Sequence, residues 1–337
     1  MKKHIDDVQT PTVDEHFKLI LEDYSINNPE MNVTSDDLPH WYNQKLHKEA
    51  QNYYNRNIMA INIVSLMGLI TVFSVAQILK VLMFTKQSNT TCAAFKRYLK
   101  TVLHIHSIYT FDANNPDSNW YKSINVIRWK HNTNSQRSKK AGVGPIYQRD
   151  MALTQFSFVG YIFIMPEVFG LCSKPEEAEA LNHFWRVIGY MLGIPDRLNI
   201  CRKSAVETRE LCQKIFKDVY IKCLSEASPD FFHIASTILN SLWYIDIHSD
   251  KDSILALIYR LHGIEYKKPL GWYSWLNMKY IDLLFKLCLI PYVGTVTRIY
   301  LNCSFRLKLF IVENYPILAW AKLGKKNIQI NLYSKYE

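Results

Sequence analysis

From Asn57 to Leu79 the chain runs 23 residues without a charge. Wound as a helix at about 1.5 Å per residue, that stretch reaches across the hydrocarbon of a bilayer. Its composition points elsewhere. Asn57, Asn62, Ser65, Thr71, Ser74 and Gln77 dilute it, and Gly68 sits mid-run. A buried core helix of a large helical protein has this same mixture, so the core reading is favoured over the spanning one. The rest of the chain also favours helix. Only 11 Gly and 12 Pro in 337 residues leave few turns and long elements. Hydrophobic residues make up 48%, enough for a sizeable core. The expected class is all-α, a multi-helix core with additional C-terminal helices.

Three regions are expected. Residues 1–45 read as a polar N-terminal arm with a short helix near Asp14 to Tyr24. Residues 46–265 form the helical body. Helices are expected over 93–109 and 118–137, in an apolar stretch over 148–170 interrupted late by Pro166, from Pro175 to Gly193, and over 204–226, 229–246 and 250–263. Proline and two acids open the Pro175 helix where its N-terminus favours them, and Gly193 suits its end. Residues 266–337 supply apolar and basic C-terminal helices. Tyr280 to Ile290 and Tyr292 to Ala321 are strongly apolar yet carry Lys286, Arg298, Arg306 and Lys308. That mixture suits a helix lying on a membrane with basic residues at the headgroups, or a last pair of core helices.

The formal charge of +10 admits an anionic membrane surface or nucleic acid as partner. The basic residues are spread out and no nucleic-acid-binding motif accompanies them, so no nucleic-acid partner is expected. The seven cysteines form no CxxC pair, which argues against a zinc ribbon and for reduced thiols in a cytosol-facing protein. The chain opens Met-Lys-Lys-His-Ile-Asp-Asp, so no signal peptide is expected. The expected location is intracellular, at the endoplasmic reticulum or another membrane.

On a helix, Arg97, Lys100, Thr101 and His104 share one face at i, i+3, i+4 and i+7. They form either a solvated basic face or the polar lining of a pocket. His131 follows Arg128 by three residues at the edge of an apolar stripe containing Ile124 and Ile127. A histidine there is a satisfied structural residue or the single axial ligand of a haem, which needs one imidazole and an apolar cleft. His104 and His106 would point to different sides of a helix and make a poor metal pair. His183 and Trp185 read more readily as a packed pair, and Asp150 and Thr154 as a helix start. No nucleophile elbow, Walker loop or dinucleotide glycine motif occurs.

Four segments in order carry a resemblance. They are Arg97-x-x-Lys100-Thr101, Arg128-x-x-His131, the run from Gly144-Pro-Ile through Gln148, Asp150 and Thr154 to Phe156, and His183-Phe-Trp185 through Gly189 to Gly193. Together, across roughly residues 55–225, the chain resembles the MpaB/rubber-oxygenase catalytic domain. The resemblance implies a globin-like helical core holding haem b. It also implies oxidative cleavage of carbon–carbon double bonds in isoprenoid chains with dioxygen. Carried over by position, His131 would ligate the iron with Arg128 beside the cofactor. Arg97, Lys100 and Thr101 would be the polar catalytic residues near the haem. Latex clearing proteins place a glutamate on the helix before the Arg-Lys-Thr motif, whereas residues 57–96 here contain no acid and offer only Gln77. The bacterial secretion signal is also absent, which favours a lipid-like substrate inside the cell. The expected function is a haem-b oxygenase acting on a small hydrophobic, isoprenoid or lipid-like substrate. The alternative is a non-catalytic helical protein that binds haem or lipid.

Overall fold

The computed structural model describes residues 9–28 and 32–333. Fifteen α-helices follow one another among the described residues: α1 (Val13–Glu22), α2 (Gln44–Arg56), α3 (Ile58–Val72), α4 (Ala76–Phe84), α5 (Thr91–Thr110), α6 (Asn119–Lys140), α7 (Gln148–Ile164), α8 (Pro175–Met191), α9 (Ala205–Ile215), α10 (Ile221–Ser225), α11 (Pro229–Leu242), α12 (Lys251–Leu261), α13 (Trp272–Leu289), α14 (Val293–Asn314) and α15 (Ile317–Leu323). The fold is all-α. Its described β-structure is one isolated antiparallel bridge between Ile26 and Tyr147.

Local chemistry starts these helices. Thr90 accepts from the Ala93 amide ahead of α5, and Ser118 accepts from the Trp120 amide ahead of α6. These side-chain oxygens satisfy amides that have no partner within the helix. Beyond α8, Gly193 takes φ 92°. The Ile194 amide there donates back to the Gly189 carbonyl at 2.9 Å, a Schellman-type stop that an L side chain would strain.

The uncharged run forms α3 and the start of α4, broken over residues 73–75. Its polar side chains satisfy themselves locally. Asn62 donates to the Ile58 carbonyl at 2.8 Å, and Ser65 and Thr71 donate to the carbonyls four residues back at 2.9 Å. Bonded this way they enter a core at little cost. Most of α3 is buried. Among the described residues no single helix is long and apolar enough to cross a membrane, and α2 meets α3 at 94°.

The tightest crossing lies between α3 and α7 at Gly68. A Cβ there would come within 2.1 Å of the Ser157 carbonyl oxygen. Gly68→Ala is expected to force the helices apart and cost about 1–3 kcal/mol, read as a lower denaturant midpoint at unchanged slope.

The described part of the N-terminal region folds onto the body. Arg202 bonds the His16 ring at 2.8 Å and donates to the Thr10 carbonyl at 2.8 Å. Asn125 of α6 exchanges two hydrogen bonds with the Val33 backbone, at 2.7 and 3.0 Å. The helix of the 148–170 stretch stops at Ile164, ahead of Pro166 as expected. Two other expected helices are interrupted: the 204–226 helix contains a π turn over Phe216–Tyr220, and the last breaks at Tyr315-Pro316. Of the tail helices, α13 packs on α12, and α14 on α2 and α3. Asn302 donates to the Arg56 carbonyl at 2.8 Å, and Lys308 pairs with Asp246 at 2.7 Å.

Candidate functional site

Helices α3 to α8 surround a cavity of about 740 Å³. The face of α5 lines one side with Arg97, Lys100, Thr101 and His104. Next to it, α6 adds Lys130 and His131, and α7 adds Asp150, Thr154, Gln155 and Phe158. Leu69, Val72, Phe73 and Leu82 from α3 and α4, with Ile188 and Leu192 from α8, make apolar walls. The size lies within the roughly 300–1,000 Å³ usual for ligand and cofactor pockets.

The lining is basic and largely unpaired. Lys86, Lys96, Arg97, Lys100, Lys130 and Arg137 face a single carboxyl, Asp150. None of these six cations makes a salt bridge among the described residues. Crowding shows in their acidity. Burial first, then the charges of Lys100 and Arg97, push Lys130 down to about 8. Burial and then Lys96 lower Lys100. Such a cluster is poised for an anion.

His131 lies half-buried in the cavity wall. Burial, then Arg97 and Lys130, hold its pKa down to about 4, so at neutral pH the ring is uncharged and keeps a lone pair. Its Nδ1 is buried with no hydrogen-bond partner among the described residues. Along α5, His104 also reaches the cavity, with Nδ1 at 3.2 Å from Ser123 Oγ and Nε2 buried and unpartnered. His106 points elsewhere, its Nδ1 2.9 Å from the Tyr54 hydroxyl.

Arg97 donates to Thr85 Oγ1 at 3.0 Å, and Thr101 Oγ1 donates to the Arg97 carbonyl at 3.0 Å. The Thr101 proton is thus committed to its own helix, and its oxygen can offer the cavity only an acceptor. Arg128, expected beside the cofactor, does not line the cavity. It is buried, and its Nη1 donates to the Met191 carbonyl at 2.6 Å. Met191 ends α8, so the guanidinium there meets carbonyls left open at a helix C-terminus. Of the downstream pair, Trp185 lines the cavity and stacks on Phe158, with ring centroids 5.2 Å apart. His183 lies outside it and accepts from the Asn43 amide at 3.0 Å.

Asp150 was read from the sequence only as a helix start, and it does serve there. Its Oδ2 accepts from the Tyr147 amide at 3.0 Å. Its Oδ1, however, is buried and unpartnered among the described residues. Burial raises its pKa to about 6, against lowering by the Tyr147 amide and Arg149. The one available sequence signal was its place in the Gly144-to-Phe156 run. Gln77, the residue nearest to an acid in the run ahead of α5, holds the following loop instead, its Nε2 3.4 Å from the Pro145 carbonyl.

A solved structure of latex clearing protein in its closed state is similar to the overall fold of this chain, with a TM-score of 0.54. The chain has a latex-clearing-protein-like fold. The likeness covers 88% of this chain and 85% of that one, at 16% sequence identity. No protein-family profile and no curated protein matches the sequence.

Proposed function

We propose that the cavity holds a haem b and that the chain oxygenates a hydrophobic, isoprenoid or lipid-like substrate there with dioxygen. One observation carries this reading: a neutral imidazole, His131, and six unpaired cations share one cavity with apolar walls. The latex-clearing-protein-like fold supports it. The residues present fit the group. A single imidazole suffices as protein ligand, apolar walls accept the macrocycle, and the cations suit two propionates. A buried ring nitrogen without a partner costs about 1–3 kcal/mol, and metal coordination is one way to recover it. Among the described residues no group of three or more His, Cys, Asp or Glu forms a separate metal site.

When bound, haem b supplies the iron at which dioxygen reacts. The chain's own residues do the rest. Val72, Phe73, Ile105 and Ile108 line the cavity and would hold an apolar chain away from water. Arg97 and Lys100 line the cavity and would supply positive charge to stabilise negative charge formed there. Asp150 Oδ1 can take up and return a proton near neutral pH, because burial has brought its pKa to about 6. That carboxyl, on α7, occupies the cavity although residues 57–96 lack an acid.

The alternative, a carrier of haem or lipid without turnover, is separated by product analysis. Haem-loaded protein incubated aerobically with a polyisoprenoid is expected to give carbonyl-ended fragments by mass spectrometry. A Soret band without such products would leave a haem carrier; no Soret band would overturn the haem reading and leave only a lipid carrier.

A further inference from the structure

Among the described residues, eighteen of the twenty-five exposed large hydrophobic side chains fall between Trp272 and Leu318. A monomeric surface seldom gathers apolar side chains this way without a use. The helices there are built inside out as well as outside in. Along α13, Ser274, Asn277, Ile281, Phe285 and Cys288 are buried against the body. The opposite face runs Trp272, Trp275, Lys279, Leu283, Lys286 and Ile290, all exposed. Along α14 the outward stripe is Val296, Ile299, Cys303, Leu307 and Phe310. Both spacings follow the helical repeat, so away from the core α14 keeps a second apolar face and α13 a mixed apolar and basic one.

The turn between the two helices shows the same orientation. Tyr292 sits at φ 62° and ψ −52°, and the Val293 amide donates to the Pro291 carbonyl at 2.7 Å. This is a γ-turn of the strained hand in a residue that is not glycine. Tyr292 is 91% exposed there. The turn thus lifts an aromatic ring off the body, flanked by the exposed Ile290 and Val293.

Charge decides what covers the face. Residues 266–333 carry ten Lys and Arg against two acids, Asp282 and Glu313; of the ten, Lys268 is paired with Asp252 and Lys308 with Asp246, which leaves eight without an acidic partner among the described residues. Asp282 is already paired with Arg260. A second copy laid on this face would set like charges together. An anionic bilayer accepts both features: lysines at the phosphates, Trp and Tyr at headgroup level, and aliphatic side chains at the acyl boundary. We infer that the outward face of the α13–α14 hairpin docks the chain on the surface of an anionic phospholipid bilayer. The inference stands independently of the haem reading.

Vesicle flotation of the full chain tests it. The protein is expected to float with phosphatidylcholine–phosphatidylserine vesicles, and less with phosphatidylcholine alone or at high salt. Val296→Ser and Ile299→Ser should each weaken partitioning about tenfold, the loss expected for one buried apolar side chain. Lys279→Gln and Lys286→Gln should each weaken it about fivefold, on the anionic vesicles only. All four side chains are exposed and lie outside the cavity lining, so helical circular dichroism should be unchanged. The inference is overturned by failure to float with either vesicle or by partitioning that the variants leave unchanged. Light scattering showing a dimer that Val296→Ser dissolves, with vesicle binding intact, also overturns it in favour of self-association.

Discussion

Lowering the pH from 7 toward 4 should unfold the protein, with most of the loss between pH 6.5 and 5. His16, His47, His104 and His262 are all buried. Burial is the main cause that holds the first three to about 3 and His262 to about 4. Arg202 adds to the effect at His16, His183 at His47 and Lys130 at His104. In the unfolded chain each returns to its ordinary value of about 6.5. Above that pH both states are neutral and the histidines exert no pH dependence. Below it the unfolded state alone takes up protons, so stability falls with pH until the folded values near 3–4 are reached. By pH 5 the loss is about 2 kcal/mol per histidine, or about 8 kcal/mol for the four. A whole domain commonly has only about 5–15 kcal/mol. Melting temperatures measured from pH 7.5 to 4.5 should drop steeply below pH 6.5; a flat profile would contradict the buried neutral rings.

Asp150→Asn should give a more stable and inactive protein. The carboxyl has its pKa raised from 3.8 to about 6 by burial. Below pH 4 it is protonated in both states and costs nothing. Between 4 and 6 the unfolded state releases its proton first, so folding is penalised increasingly, and above 6 the penalty is constant. At pH 7.5 the amide avoids a penalty of about 2–3 kcal/mol. It also keeps an oxygen to accept from the Tyr147 amide. The melting temperature should therefore rise at pH 7.5 and not at pH 4. Turnover should fall about 10²–10⁴-fold for loss of a group that carries a proton, with haem uptake retained. A residue that costs stability where it stands is typical of a working site. An unchanged melting temperature together with full turnover would remove Asp150 from the mechanism.

The helices were legible because their apolar spacing and caps are local. Thr90, Ser118, Pro175 and Gly193 mark ends that the structure places within a residue or two. The polar residues of the uncharged run agree with burial because they bond to carbonyls of the preceding turn of their own helix, a local rule as well. The missed breaks have other causes. Pro316 lay inside a strongly apolar stretch, and the π turn at 216–220 leaves the apolar period nearly intact.

At the site, the spacing from Arg97 to His104 located one cavity wall, since a helix carries i, i+3, i+4 and i+7 together. It could not say whether that face met solvent or a cavity. Arg128 illustrates the same limit. Three residues before His131 it lies near the same face, yet its partner, the Met191 carbonyl, is 63 residues away in sequence. Asp150 was hidden by its ordinary place in the first turn of α7. Only the tertiary packing of α7, chiefly against α3 and α9, brings a capping carboxyl into the lining of the cavity that also holds the histidine and the lysines. In the tail, the sequence carried the apolar and basic mixture but not which face would be left outward.

Haem uptake through His131 is the central claim, and an absorbance titration with haem tests it most directly. Wild-type protein should develop a Soret band, His131→Ala should lose or markedly shift it, and His104→Ala should keep it. No Soret band in the wild type, an unchanged band in His131→Ala, or loss of the band in His104→Ala instead would contradict the account.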